Sequence, residues 1–322
     1  MKINRRKFLT GTAAVTALTF LPRAEATASI SQDSYATLID LKKCDGCLQY
    51  DEPKCVASCR SGRSADFPNP PPEELRDYWP QKKHEDWSDK KQLNDRFTPY
   101  NWIFVQKVQV DGMDISIPRR CMHCDNPPCA KLCPFGVKHK TAEGPVYIDK
   151  NLCFGGAKCR SVCPWKVPQR QAGVGLYTLW QKYLPVGGGV MYKCDLCRDR
   201  LAADQQPFCI SGCPQNAMEI GTRKEIFAKA AALKEQYQGD LYGLSENGGT
   251  STVYVSPVPF ANINQSLKDQ ASTGAQRPVP MHQPENVLAS QKPWAKLSLV
   301  APIIGVAAAL GLAGKNNREK QS

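Results

Sequence analysis

The sequence predicts a loop-rich α+β body flanked by an export segment and a single apolar span. Three observations carry that reading. Fifteen cysteines all fall between Cys44 and Cys213, in four tight groups. Twenty-five prolines and 23 glycines in 322 residues argue against a helical bundle. The apolar runs inside the body are short and strand-like. The length suits about two domains and a core of their own. With 42% hydrophobic residues the bulk is not disordered, and a mean hydropathy of −0.43 excludes a polytopic membrane protein. An odd number of cysteines excludes a complete set of intrachain disulfides. A net charge of +12 would suit a nucleic-acid surface. Beyond the N-terminus, however, no Lys/Arg block exceeds three residues, so no nucleic-acid partner is expected.

Residues 1–26 read as a targeting segment. Asn4-Arg5-Arg6-Lys7-Phe8-Leu9 pairs arginines ahead of Phe-Leu, Gly11 to Leu21 is weakly apolar, and Ala24-Glu25-Ala26 fits a cleavage site. This pattern resembles a twin-arginine signal, a receptor-read address in bacteria. That route carries folded proteins, which suits a chain whose cofactor must be inserted before export. Residues 60–100 are rich in charge and proline (Pro68, Pro70, Pro71, Pro72, Pro80) and read as an insertion that wraps a partner or another part of the chain. Ile103 to Val110, then Asp111-Gly112, then Ile115 to Ile117 read as a β-hairpin. Pro145 to Ile148 and Ala217 to Ile220 read as short strands, and Glu225 to Gln236 as an amphipathic helix. Residues 239–290 lack a clear period and read as an extended arm with short strands such as Thr252-Val253-Tyr254-Val255.

Leu297 to Gly314 carries no charge, and its eighteen residues just suffice to cross ~30 Å of hydrocarbon as a helix. Trp294 stands at its start; Lys315, Arg318 and Lys320 follow it and favour a cytoplasmic tail. The export signal requires the same orientation. The alternative is a helix buried against the body or a partner.

The cysteine groups hold the chemistry. The first is Cys44, Cys47, Cys55, Cys59; the second is Cys121, Cys124, Cys129, Cys133; the third is Cys153, Cys159, Cys163; the fourth is Cys194, Cys197, Cys209, Cys213. Groups one, two and four open with C-x-x-C, all four end in C-x-x-x-C, and three end in Cys-Pro (Pro134, Pro164, Pro214). Two cysteines three apart present both sulfurs to one site from a tight turn, and a third completes three corners of a cube-shaped cluster. The fourth, before proline, points to the neighbouring cluster. Thiolate suits iron–sulfur clusters and zinc alike. A zinc ribbon, the alternative with a structural or nucleic-acid-binding role, has no use for the cysteine before proline. No C-x-x-C-H supports covalent haem. His123 lies inside the second turn and reads as a packing or hydrogen-bonding neighbour. No nucleophile elbow, phosphate loop or HExxH occurs; Gly187-Gly188-Gly189 lacks the Lys-Ser/Thr of a P-loop. The chain therefore reads as an electron conduit with no catalytic site of its own.

Cys121-Met122-His123-Cys124-Asp125-Asn126-Pro127-Pro128-Cys129, Lys193-Cys194-Asp195-Leu196-Cys197 and Cys213-Pro214-Gln215-Asn216-Ala217 resemble the four-cluster ferredoxin-type electron-transfer (beta) subunits of membrane-bound oxidoreductases. With the export signal and the apolar span, the chain looks most like the ferredoxin-like subunit of periplasmic nickel–iron hydrogenases, then the formate dehydrogenase beta subunit. The resemblance covers about residues 35–230. It implies two pseudo-symmetric bacterial-ferredoxin-like modules: an outer half, 35–60 plus 190–225, and an inner half, 119–189. Around them lie the signal 1–26, an insertion with the hairpin at 61–118, a helix and extended arm at 226–290, a transmembrane anchor at 294–314 and a tail at 315–322.

The implied ligand sets are Cys44, Cys47, Cys55 with Cys213; Cys194, Cys197, Cys209 with Cys59; and Cys121, Cys124, Cys129 with Cys163. Cys153, Cys159 and Cys133 remain for the last. The loop from Leu48 to Lys54 is longer than the family pattern, and Gly156 stands where the third group should have its second cysteine. The expected cofactors are three 4Fe–4S clusters and one 3Fe–4S cluster, or an incompletely ligated 4Fe–4S cluster. Expected partners are a catalytic oxidoreductase subunit and an integral membrane, quinone-reactive subunit, on the periplasmic side of the inner membrane.

Overall fold

The computed structural model describes residues 30–77, 84–181, 187–272 and 281–290. The export segment, the apolar span and the tail lie outside these residues. No helix among the described residues is long and apolar enough to cross a membrane. The body is the compact unit that begins at Ser31.

Among the described residues, four sheets of two to four strands form. The largest contains β1 (Tyr35–Asp40), β8 (Met218–Thr222), β9 (Asp240–Tyr242) and β10 (Thr252–Ser256), in the order β8-β1-β10-β9. β1 pairs antiparallel with β8 and parallel with β10, with Leu38 opposite Val253. Its two faces follow the period of two. Ala36, Leu38, Val253 and Val255 face α7 (Arg223–Tyr237), where Ile226 and Ala230 cover them. Ile39 and Tyr254 face the main core, which also holds most of the buried cysteines. The remaining pairs are β2 (Phe104–Val110) with β3 (Met113–Arg119), β4 (Lys138–Lys140) with β5 (Val146–Ile148), and β6 (Gln169–Gln171) with β7 (Val190–Tyr192).

The β2–β3 hairpin forms where expected. Asp111 and Gly112 both take positive φ, 51° and 78°, as a two-residue turn matched to strand twist requires. The short strands after Pro145 and Ala217 form β5 and β8. The helix over Glu225–Gln236 starts two residues earlier, because Thr222 caps it and Glu225 returns the bond in a capping box.

Of the expected arm, the short strand at Thr252–Val255 forms as β10; the correction is that the segment also carries β9 and a helix and packs into the body. β10 is an interior strand, buried along its whole length, and such strands show no polar alternation. α8 (Phe260–Ser272) then packs on the β2–β3 hairpin through Phe260, Ile263 and Leu267.

Other helices among the described residues are α1 (Lys54–Gly62), α2 (Pro128–Lys131), α3 (Lys158–Ser161), α4 (Thr178–Gln181), α5 (Arg198–Leu201) and α6 (Phe208–Ser211). α1 packs on α6, and α2 on α3. These contacts set the first cysteine group beside the fourth and the second beside the third.

Candidate metal centres

Each cysteine group is built the same way. A strand leads in: β1 to Cys44, β3 to Cys121, β5 to Cys153, β7 to Cys194. Two residues later the chain takes a left-handed residue: Gly46 (φ 68°), His123 (48°), Gly155 (69°) or Leu196 (61°). A histidine or leucine there is uncommon, so the surrounding fold imposes the turn. The third cysteine of groups one, two and four, and Cys159 of group three, is the second residue of a helix, in α1, α2, α6 and α3. After each Cys-Pro a second left-handed residue (Gly136, Lys166, Asn216) sends the chain into β4, β6 or β8. Cys59 has no proline after it and stays within α1. In this repeat Gly156 occupies the place of Cys47, Cys124 and Cys197.

All fifteen thiols are free. Cys44, Cys47, Cys55 and Cys213 line one small cavity with Pro53, Val105 and Pro118. Cys59 lies within electrostatic reach of Cys209, Cys194 and Cys197. Cys124 does so with Cys129, Cys121 and Cys163, and Cys153 with Cys159. Cys133 is half-buried just past α2, the helix that meets α3 and its Cys159. Neighbouring sets also lie within electrostatic reach of one another: Cys55 of Cys209, Cys194 of Cys121, and Cys129 of Cys159. Arg63, at the end of α1, binds Asp195 and Asp199 at 2.7 Å each and so ties the first group to the fourth turn.

Burial pushes the Cys44, Cys163 and Cys197 thiols up to about 12 and Cys209 up to about 11. Ligation must therefore expel protons that the protein holds tightly. Among the described residues no three Cys, His, Asp or Glu side chains converge closely enough to hold a single metal ion. A cube-shaped cluster instead spreads its ligands over four metal corners.

Buried cations stand beside these thiols. Arg120 reaches Thr37 through one nitrogen, and its fully buried guanidinium lies within electrostatic reach of Cys209 and Cys194. Lys138 Nζ is buried without a partner, near Cys129 and Cys153. Lys193 Nζ lies 3.6 Å from Cys121 Sγ. An unpaired buried cation costs several kcal/mol, and a thiolate-ligated cluster is the anion that would offset it. The donor set and the buried cations both fit iron–sulfur clusters.

His123 is fully buried, and burial followed by the charges of Lys193 and Arg120 pushes its ring well below the usual range, so it is neutral. Val146 N–H donates to its Nδ1 at 2.9 Å, which leaves the proton on Nε2, 3.6 Å from Cys194 Sγ. It is a hydrogen-bonding neighbour, as its place in the turn suggested. Asn247 Nδ2 donates to Cys124 Sγ at 3.4 Å. Sequence reasoning passed over Arg120 and Lys193, though each stands directly before the first cysteine of a group. Nothing in the sequence points to Asn247.

The fold and the thiol arrangement define a multi-centre iron–sulfur protein. Two family models, both described as a 4Fe-4S dicluster domain, match residues 43–137 and 113–223, a span that contains every cysteine. The chain is 30% identical over 298 residues to a protein of Nitratidesulfovibrio vulgaris (strain Hildenborough), covering 87% of this chain and 73% of that one. It is 28% identical over 317 residues to the hydrogenase-2 operon protein HybA of Escherichia coli O157:H7, covering 85% and 87%. It is 26% identical over 260 residues to a subunit of the tetrathionate reductase of Salmonella typhimurium, covering 78% and 86%. The chain belongs to the 4Fe-4S dicluster family of iron–sulfur electron-transfer subunits of oxidoreductases.

Proposed function

We propose that this chain relays electrons between a periplasmic catalytic subunit and a quinone-reactive subunit in the membrane. The observation that carries this is the succession of thiol sets within electrostatic reach of one another, from Cys44 and Cys55 through Cys209 and Cys194 to Cys121, Cys129 and Cys159. When bound, the clusters supply one-electron steps; the residues fix their spacing and exclude water. Cys44, Cys47, Cys55 and Cys213 hold the first cluster. Cys194, Cys197, Cys209 and Cys59 hold the second. Cys121, Cys124, Cys129 and Cys163 hold the third, and Cys153, Cys159 and Cys133 the fourth.

The fourth set lacks a ligand at Gly156, and a cluster with three protein ligands there is a 3Fe–4S centre. The catalytic partner is of the class served by the hydrogenase and reductase relatives, and the likeness to HybA favours a hydrogenase. Residues 1–26 direct export of the folded, loaded protein, and residues 294–314 anchor it with the tail inside.

The test is purification of the full chain in mild detergent under anaerobic conditions. A brown preparation that bleaches on reduction, holds about fifteen irons and carries a catalytic subunit and a membrane subunit is expected. A colourless zinc protein would overturn the reading. Loaded protein that lacks a membrane partner would overturn the quinone link alone.

A further inference from the structure

The junction between the second and fourth cysteine groups is crossed. Lys193 precedes Cys194, yet its ammonium serves the other group: it lies 3.6 Å from Cys121 Sγ and also donates to Val146 O and, at 2.8 Å, to Cys194 O. None of these three acceptors is a carboxylate. Arg120 precedes Cys121, yet its buried guanidinium lies within electrostatic reach of Cys209 and Cys194. His123, beside Cys124, carries its proton on Nε2 and points it at Cys194 Sγ, 3.6 Å away. Each group thus receives a buried positive charge from the residue that introduces the other, and the second group has Lys138 beside Cys129 as well.

We propose that Lys193 and Arg120 are crossed positioning charges that set the reduction potentials of the two central clusters separately, Lys193 that of the cluster on Cys121 and Arg120 that of the cluster on Cys194. The inference rests on the ligand sets proposed for these clusters. A reduced cluster is more negative than an oxidised one, so a fixed cation in a dry site favours the reduced form and raises the potential. Lys193 and Arg120 are buried to 5% and 2% exposure, so salt screens neither. The charges act through the sulfurs within their reach.

The experiment uses the full, cluster-loaded chain, titrated with dithionite and followed by electron paramagnetic resonance, with iron and sulfide measured beside it. Lys193→Met is expected to weaken the reduction of one cluster at least tenfold, which for one electron is about 59 mV, with the other three unmoved. Lys193→Arg, which keeps the charge, is expected to restore it. Arg120→Leu is expected to weaken a different cluster. If the methionine variant loses iron, Lys193→Gln, which keeps a donor without the charge, gives the same reading.

Unchanged potentials in loaded Lys193→Met overturn the proposal. So does a shift of one and the same cluster by both charges, and so does loss of iron in all three neutral variants, which would make these residues elements of assembly. A wild-type chain that binds no iron and sulfide would instead overturn the electron-relay reading itself.

Discussion

Gly155 and Gly156 are adjacent and answer to different physics. Gly155 takes φ 69°, and a Cβ there would sit 2.4 Å from Gly189 O, a backbone atom that cannot yield. Gly156 lies outside the left-handed region, is exposed, and its Cβ would meet only Phe135 Cε2 at 3.7 Å, an ordinary contact. The fold requires the first glycine and tolerates a side chain at the second. Gly156→Cys should therefore fold, load about one more iron and abolish the signal of an oxidised 3Fe–4S centre. Gly155→Ala should lose the third group's cluster. Iron analysis with electron paramagnetic resonance of the oxidised proteins checks both, and an unchanged oxidised signal in Gly156→Cys would refute the 3Fe–4S assignment.

The cysteine spacing made this position legible, since the gap at Gly156 shows against three complete groups. The left-handed His123 and Leu196 were not legible, because such turns are imposed by ligands and packing that local propensity does not register.

Among the elements, the segment after His84 shows how an insertion is fastened. Glu85 takes two bonds of 2.8 Å from Arg160 and another from Arg170, and Trp87 N–H donates to Gln171 Oε1 at 2.9 Å. The insertion therefore lies against the third cysteine group. Its composition reads as an insertion; the pairing with Arg160 and Arg170 shows where the segment lies. Burial alone would raise the Glu85 carboxyl, but the Arg160 bonds and the Arg170 charge outweigh it and hold the carboxyl below its ordinary range.

A depressed carboxylate stabilises above its unfolded value, about 4.3, and that contribution fades as pH falls through the folded value. Glu85→Gln should thus lose hydrogen-exchange protection over residues 84–97 at pH 7. The difference from wild type should narrow below about pH 4. Equal protection at pH 7 would show that the pair does not hold the segment.

A second fastening joins α7 to the second turn. Arg223 binds Asp125 through both nitrogens at 2.9 and 2.6 Å, with both side chains at 10% exposure or less. Asp125→Asn leaves a buried guanidinium without its charge partner and should cost about 3–5 kcal/mol. A fall in the urea midpoint of the loaded protein measures it.

At the scale of the whole molecule, the segment from Gly239 onward decides where the chain may be cut. β10 runs parallel to β1, so the last third of the body closes a sheet opened near its first residues. Each of Val253, Tyr254 and Val255 is buried to 1% exposure or less, worth about 1.5–3 kcal/mol apiece. The loop before β10 also clamps the second cysteine turn: Asp125 N–H donates to Gly249 O at 3.0 Å, Ser251 N–H to His123 O at 3.1 Å, and Asn247 to Cys124 Sγ.

Every cysteine precedes this segment, so ligand count alone would allow a chain ending at Gly239 to load all its clusters. The packing says otherwise. A chain ending at Gly239 should fail to load the cluster of Cys121, Cys124, Cys129 and Cys163, because its turn loses three of its supports and the sheet loses its interior strand. A chain ending at Ser290 keeps every described contact and should load fully, yet lack residues 294–314. If those residues are the anchor, this second chain should leave the membrane in a carbonate wash while its full-length counterpart stays. Full loading of the chain ending at Gly239 would show that β10 and its loop are dispensable to the second turn. Retention of the loaded chain ending at Ser290 on washed membranes would move the anchoring role from residues 294–314 to a partner subunit.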